Sequence, residues 1–268
     1  AIFYREEKKL SEDKLIDTML YDGLTDFFNN YHMGMTAENI AEKYNITRNE
    51  QDEFALNSQQ KTQKANDENR FKNEIIKLQI QNNDKKIIFG KDEHPRDNLN
   101  IEDLRYLKTV FKKNGTVTAG NSSGLNDGAA ATILMTRAEA DKRVIKPLAK
   151  IVSWATCGVE PSLMGLGPIP AVNMALEIAK WKINDVDLFE INEAFAAQSI
   201  AVIKELKISK EIVNVNGGAI SLGHPIGASG TRILVTLIHE MERQNKSKGC
   251  ATLCIGGGMG IAMCIEKN

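Results

Sequence analysis

Long apolar runs are missing from this sequence. Nothing approaches the roughly 18 consecutive apolar residues that a membrane-spanning helix needs. An excess of one charge is missing as well: 34 basic side chains face 35 acidic ones over 268 residues, a formal net charge of −1. That balance argues against a nucleic-acid coat and against an electrostatic membrane binder, so neither partner is expected. Cysteine is scarce, with only Cys157, Cys250, Cys254 and Cys264. Four thiols in a chain of this length are no disulfide scaffold, which points to a reducing compartment. The opening AIFYREEKKL is charged at once and lacks a signal peptide's apolar stretch,. A cytoplasmic location is expected, with the mitochondrion as the alternative. The chain starts on Ala1 rather than Met, which reads as a processed piece or a fragment.

What is present divides into two regions. Of the 20 glycines only Gly23, Gly34 and Gly90 precede Gly115, and the first region is polar, rich in Asn, Lys and Glu. It reads as mostly helical, with a helix capped by Thr36 and another opened by the capping box Thr47-Arg48-Asn49-Glu50. FKNEIIKLQI…KKIIFG alternates enough for short strands. The second region alternates strand and helix patterns. KPLAKIVSWAT, DVDLFEI and EIVNVNG read as strands. PIPAVNMALEIAKW (opened by Pro170), EAFAAQSIAVIKELK and ASGTRILVTLIHEMERQ read as helices. CATLCIGGGMGIAMCIE reads as a hairpin. The order β-α-β-α-β-α-β-β implies an α/β fold with parallel pairing and an antiparallel edge.

Four clusters sit where elements end: TAGNSSGLNDG (118–128), NEAFAA (192–197), NGGAISLGHPIGASG (216–230) and CIGGGMG (254–260). Ligands of open α/β sheets bind at the carboxyl ends of strands, so these clusters can converge on one crevice. His224, in Gly223-His224-Pro225, can present an imidazole, although a lone loop histidine is ordinary. Cys254 precedes three glycines that let a ligand approach and can bind an oxyanion through backbone N–H groups. Cys157, Cys250 and Cys264 read as small buried hydrophobes. Asn192 can orient a water or cap a helix. GGGMG is followed by a strand, not a helix, so it is no dinucleotide fingerprint. Cys250 and Cys254 lack a second ligand pair for zinc, and no metal site is expected. A Cys, a His and an Asn on separate turns suggest acyl chemistry and leave transfer and hydrolysis both open.

HMGMTAEN, TVTAGNSSGLNDGAAA, SWATCGVEP, GPIPA, NEAFAAQ, NVNGGAISLGHPIGASG and CIGGGMGIAMCIE, in that order, resemble the thiolases. Tyr31-His32-Met33-Gly34 points to the short-chain biosynthetic branch. The resemblance implies a layered α-β-α-β-α fold and Claisen condensation of two acetyl-CoA to acetoacetyl-CoA plus CoA, with the reverse thiolysis. Coenzyme A thioesters are then substrates, no cofactor is tightly bound, and the protein is a homo-oligomer, dimer or tetramer. His224 matches the histidine that activates the acyl-carrying cysteine, and Cys254 the acid/base at the α-carbon. Asn192 matches the residue holding a catalytic water, and Gly256 an oxyanion donor. Leu24, His32, Met33, Arg96, Ala119, Ser123, Ala194 and Phe195 match the coenzyme A tunnel.

The resemblance also implies a nucleophilic cysteine upstream of the coenzyme A loops, and no cysteine precedes Cys157. The N-terminal half of the family fold is therefore expected to be largely missing. On this reading 1–122 is a loop domain, 123–146 a remnant of the N-terminal core and 147–268 a complete C-terminal domain. A chain of that kind is expected to be inactive alone, and a truncated, non-catalytic CoA-ester-binding protein is the alternative function.

Overall fold

A computed structural model describes residues 16–82 and 85–267. The charged opening, residues 1–10, and the start of the expected loop domain lie outside the described residues. α1 (Met33–Lys43) begins on His32, whose Nδ1 accepts from the Gly34 N–H at 3.0 Å. Thr36, expected as the cap, lies inside the helix and donates to the Met33 carbonyl at 2.6 Å. A histidine can take over the capping role because an unprotonated ring nitrogen accepts as a serine oxygen does. α2 (Arg48–Asp67) starts at the expected capping box, with Thr47 and Glu50 each satisfying the other's backbone N–H. The expected short strands form as β1 (Leu78–Asn82) and β2 (Lys85–Phe89), which pair antiparallel.

The apolar segment 129–136 forms no strand. That segment has no strand partner among the described residues, and Ile133 and Leu134 are 87% and 70% exposed. β-branched and apolar residues make a strand only where a neighbour completes the ladder. A short helix, Arg137–Lys142, follows it, capped by Thr136.

The carboxyl region contains β3 (Lys150–Gly158), α3 (Pro168–Ala179), β4 (Leu188–Ile191), α4 (Ala196–Leu206), α5 (Ser229–Arg243), β5 (Lys248–Ile255) and β6 (Met259–Glu266). Pro168, not Pro170, opens α3: its fixed φ and missing N–H suit the first helical position,. The sheet order is β3-β6-β5-β4, with β4 and β5 parallel and the other pairs antiparallel. α3 and α4 pack on one face through Val172, Leu176, Val202 and Ile203, and α5 covers the other through Ile233, Leu237 and Met241. The described residues thus build an α-β-α sandwich within the expected α/β class.

One expected strand is absent. Residues 211–217 give only a single bridge, Phe189↔Val213, after the turn Lys210–Ile212. Asn214 explains the difference. It holds a positive φ of 44°, and its side chain does the work of a strand neighbour. Oδ1 accepts from Ile191 N–H and Nδ2 donates to the Ile191 carbonyl, each at 2.8 Å. Backbone groups at the end of β4 are thereby satisfied without a ladder. No helix of the described residues is long and apolar enough to cross a membrane.

Candidate functional site

β4 ends at Ile191, and the Asn192 N–H continues the pairing by donating to Thr252 O on β5 at 3.0 Å. Side chains alternate across a strand, so Glu190 and Asn192 share the face that α5 covers. Asn192 is 1% exposed, and its Nδ2 lies 3.2 Å from His224 Nε2. The opposite ring nitrogen, His224 Nδ1, lies 2.5 Å from Ser229 Oγ, which donates to the Pro225 carbonyl at 3.0 Å. A serine has one proton to give, so Nδ1 carries the hydrogen that Ser229 accepts. Nε2 then holds a lone pair and accepts from Asn192. Burial, with the Arg232 charge second, pushes the His224 pKa down to about 4. The imidazole is neutral at physiological pH, as a base must be. Asn192 Oδ1 is buried with no hydrogen-bond partner among the described residues, so it can accept from an O–H at the site.

Residues 118–128 fasten these parts together. Ser122 bridges Phe195, Ser123 N–H donates to Ala194 O at 3.0 Å, and Ala196 N–H to Asn121 O at 2.9 Å. Leu125 bridges His224, whose N–H reaches Asn126 Oδ1 at 3.2 Å. Only glycine suits position 223: φ is +94°, and a Cβ there would sit 2.4 Å from Asn126 Cγ,. Glu193 ties in α2, accepting from Ser58 Oγ at 2.7 Å and Ile220 N–H at 3.2 Å.

Cys254 is the penultimate residue of β5, 9% exposed, within a cluster of Met33, Ala37, Val117, Met164, Ala194 and Phe195. Phe111 packs against this cluster, stacked on His32 at 4.6 Å between ring centroids. The result is an apolar wall running from the start of α1 to the thiol. Burial pushes the Cys254 pKa up to about 12. A free thiol titrates near pH 8.5, so burial keeps Cys254 protonated at neutral pH. Gly256 opens the β5–β6 turn, in which Gly257 and Gly258 hold φ of 83° and 85°; a Cβ at Gly256 would meet Met33 Cε at 2.5 Å.

The structure therefore gathers His224 and Asn192, and places Cys254 against Met33, Ala194 and Phe195, with Ser123 and His32 adjoining. Leu24 is half-buried and joined through Met33 N–H to its carbonyl at 2.7 Å. Arg96 and Ala119 lie on exposed loops, Arg96 fixed by its N–H to Gln59 Oε1 at 2.9 Å. A separate cavity of about 280 Å³, lined in part by Lys61 and Glu193, touches none of Asn192, His224 and Cys254. No group of three His, Cys, Asp or Glu side chains is placed to hold a metal among the described residues.

The family profile described as "Thiolase, C-terminal domain" matches residues 145–267, and that described as "Thiolase, N-terminal domain" matches residues 2–138. The chain belongs to the thiolase family. An acetyl-CoA acetyltransferase of Rhizobium meliloti (strain 1021) is 57% identical over 259 residues, covering 97% of this chain and 66% of that relative. A cytosolic acetyl-CoA acetyltransferase of Rattus norvegicus is 52% identical, covering 98% of this chain and 67% of that protein. Among solved structures, a Bacillus anthracis acetyl-CoA acetyltransferase superposes with a TM-score of 0.93 at 48% identity, over 98% of this chain and 67% of its own. Human mitochondrial 3-ketoacyl-CoA thiolase gives a TM-score of 0.89 at 42% identity, over 99% of this chain and 67% of its own. The chain spans about two thirds of the length of these thiolases.

The N-terminal match corrects one expectation. That half of the family fold is not reduced to a remnant at 123–146, because its profile runs from residue 2 to residue 138. The expectation rested on the absence of a cysteine before Cys157, and one absent side chain does not mark the segment that lacks it as foreign to the domain. The truncated, non-catalytic alternative likewise finds no support, since these relatives are named as acetyltransferases. Sequence reasoning missed Ser229, Asn126 and Phe111. Ser229 carried a signal, a serine five residues beyond the candidate histidine, but a serine at a helix start reads first as a cap.

Proposed function

We propose that this thiolase chain carries the α-carbon chemistry of an acetyl-CoA acetyltransferase, interconverting two acetyl-CoA with acetoacetyl-CoA and CoA. The observation that carries this reading is the neutral, Ser229-held His224 paired with Asn192, two residues before Ala194, which packs in one cluster with the Cys254 thiol. The acetyltransferase names of the relatives support it. The chain's four cysteines begin at Cys157, so the steps its residues support are those at the α-carbon and the thioester oxygen.

In the cleavage direction, breaking the carbon–carbon bond leaves an acetyl-CoA enolate. Cys254, protonated up to about pH 12, gives its proton to the α-carbon and becomes a thiolate. Condensation is the reverse: a base in the site, for which His224 Nε2 is proposed, first takes the Cys254 proton, and the resulting thiolate then takes one from the α-carbon. The enolate oxygen needs donors fixed before charge develops. Preorganised hydrogen bonds in a dry site are worth roughly 3–4 kcal/mol each. Gly256 N–H, Asn192 with a held water, and His224 once protonated at Nε2 are the donors proposed. His32, Met33, Ser123, Ala194 and Phe195 line the thioester arm, with Leu24 and Ala119 beside it and Arg96 at the charged end. The protein is proposed to act as a homo-oligomer, dimer or tetramer.

The deciding experiment is exchange of acetyl-CoA methyl protons into D2O, followed by proton NMR, with CoA binding measured calorimetrically alongside. Cys254→Ala is expected to slow exchange at least about 100-fold, a usual size for a lost acid/base, while CoA still binds. Unchanged exchange in a folded Cys254→Ala protein would remove Cys254 from the chemistry.

A further inference from the structure

Glu193 follows Asn192 directly, is buried, and takes no part in the chemistry proposed above. Both of its carboxyl oxygens are engaged. Oε2 accepts from Ser58 Oγ at 2.7 Å and from Ile220 N–H at 3.2 Å, and Oε1 accepts from Asn214 Nδ2 at 2.9 Å. Ile220 belongs to the short helical turn Ala219–Leu222, which runs through Gly223 into His224. The carboxyl group lies against the start of that turn, where a Cβ on Gly218 would clash with Glu193 Cδ. Gly218 N–H donates in its turn to Ser58 Oγ at 3.1 Å, so α2, the turn and Glu193 meet at one point.

These contacts close a ring. From Asn192 the chain passes to Glu193, across its carboxyl group to Ile220, and along the turn to His224. His224 Nε2 then lies 3.2 Å from Asn192 Nδ2. The 118–128 loop also holds His224, through Gly124 O at 3.3 Å and Asn126 Oδ1 at 3.2 Å, but Glu193 joins the turn to the residue beside Asn192 itself. We propose that Glu193 is a positioning residue, whose reach fixes the His224-bearing turn against the end of β4. It thereby sets the Asn192–His224 separation. The inference rests on the proposed roles of those two side chains.

Length and charge are separable at this position. Aspartate keeps the carboxyl group but ends one carbon–carbon bond, about 1.5 Å, short, so it cannot reach Ser58, Ile220 and Asn214 together. Glutamine keeps the length. Its one carbonyl oxygen can still accept from Ser58 and Ile220, and only the Asn214 bond is lost, because the new NH2 faces another donor. Burial raises the Glu193 pKa, and the hydrogen bonds from Ser58, Asn214 and Ile220 oppose that rise. If reach is what matters, the neutral glutamine suffices and the shorter acid does not.

The test reads the ring directly and does not need turnover. Histidine side chains are labelled with nitrogen-15, and the His224 signals are assigned by their loss in His224→Asn. Asn192→Ala, which removes the amide facing Nε2, supplies the signal of a ring without that partner. Glu193→Asp is expected to move the Nε2 signal toward that reference, and Glu193→Gln to stay near wild type. Val202→Ala, which thins the core between α4 and the sheet, lowers stability and is expected to leave the signal in place. Exchange of acetyl-CoA methyl protons is expected to fall about 100-fold in Glu193→Asp, the size a misplacement of about 1 Å can have. CoA binding should be unchanged, and Glu193→Gln should recover most of the rate. An unmoved Nε2 signal in Glu193→Asp overturns the proposal. So does a Glu193→Gln or Val202→Ala signal that moves as far as that of Glu193→Asp. Should Glu193→Asp not fold, Ser58→Ala, which cuts the α2 arm of the same carboxyl group, is read in its place. If the signals move as expected while wild type exchanges no acetyl-CoA protons, the functional reading fails and the Glu193 assignment stands.

Discussion

Ser229 decides which nitrogen of His224 carries the proton. Its own hydrogen goes to the Pro225 carbonyl, so it can only accept from Nδ1. Without that acceptor the ring would lose both its tautomer preference and one anchor. Ser229→Ala is expected to lower kcat of acetyl-CoA methyl-proton exchange about 10-fold, the equivalent of one hydrogen bond near 1.4 kcal/mol. KM is expected to change little, since the hydroxyl faces the ring rather than the thioester. A KM effect as large as the kcat effect would place Ser229 in substrate binding instead. His224, Asn192 and Cys254 were legible because each stands beside glycines or at a strand end. Their ionisation was not legible: the Cys254 value near 12 and the His224 value near 4 come from burial, which no local pattern records. Glu190 left a trace, a carboxylate among apolar residues in DVDLFEI, where a buried acid calls for a partner.

At the scale of elements, the site depends on β4 being stiff to its last residue with only one full strand neighbour. Asn214 supplies the other side. Its side chain makes both hydrogen bonds of Ile191 and a third to Glu193 Oε1 at 2.9 Å. Asn214→Ala would leave buried backbone groups and a buried carboxylate without these partners. The expected loss is about 3 kcal/mol of unfolding free energy, from urea denaturation, at about 1 kcal/mol or more per orphaned group. A loss below about 1 kcal/mol would mean that the end of β4 is held from elsewhere. This substitution of side chain for ladder also explains where sequence reading stopped. Strands and helices of the carboxyl region were legible because β-branched runs and 3.6-residue periods are local signals. Residues 211–217 carry the same apolar character, and a single asparagine at positive φ turns them away from the sheet. The 129–136 segment fails for the opposite reason: its pattern suits a strand, but no described neighbour completes it.

At the scale of the whole molecule, α5 joins the part matched by the C-terminal profile to the part matched by the N-terminal one. Thr236 on α5 donates to Glu74 Oε1 at 3.3 Å, and Glu74 follows α2. Burial outweighs the Arg232 attraction and pushes Glu74 up to about 7. A carboxyl whose folded pKa lies above its unfolded value near 4.5 favours the fold while protonated. Its contribution is complete below about pH 4.5 and disappears as pH rises through about 7,. His224 has the reverse sign. Depressed to about 4, it favours the fold above its unfolded pKa and withdraws that support as pH falls from about 6.5 toward 4. The two windows overlap, so a wild-type curve alone cannot separate them, and a variant can. Glu74→Gln keeps the shape and the oxygen that Thr236 needs, but cannot ionise. From pH 5 to pH 8, wild type is expected to lose more stability than Glu74→Gln. The gap should approach at most about 3 kcal/mol, the equivalent of the raised pKa, measured by urea unfolding at each pH. Parallel curves for the two proteins would show that Glu74 does not titrate at this junction, and that the contact is held by packing alone.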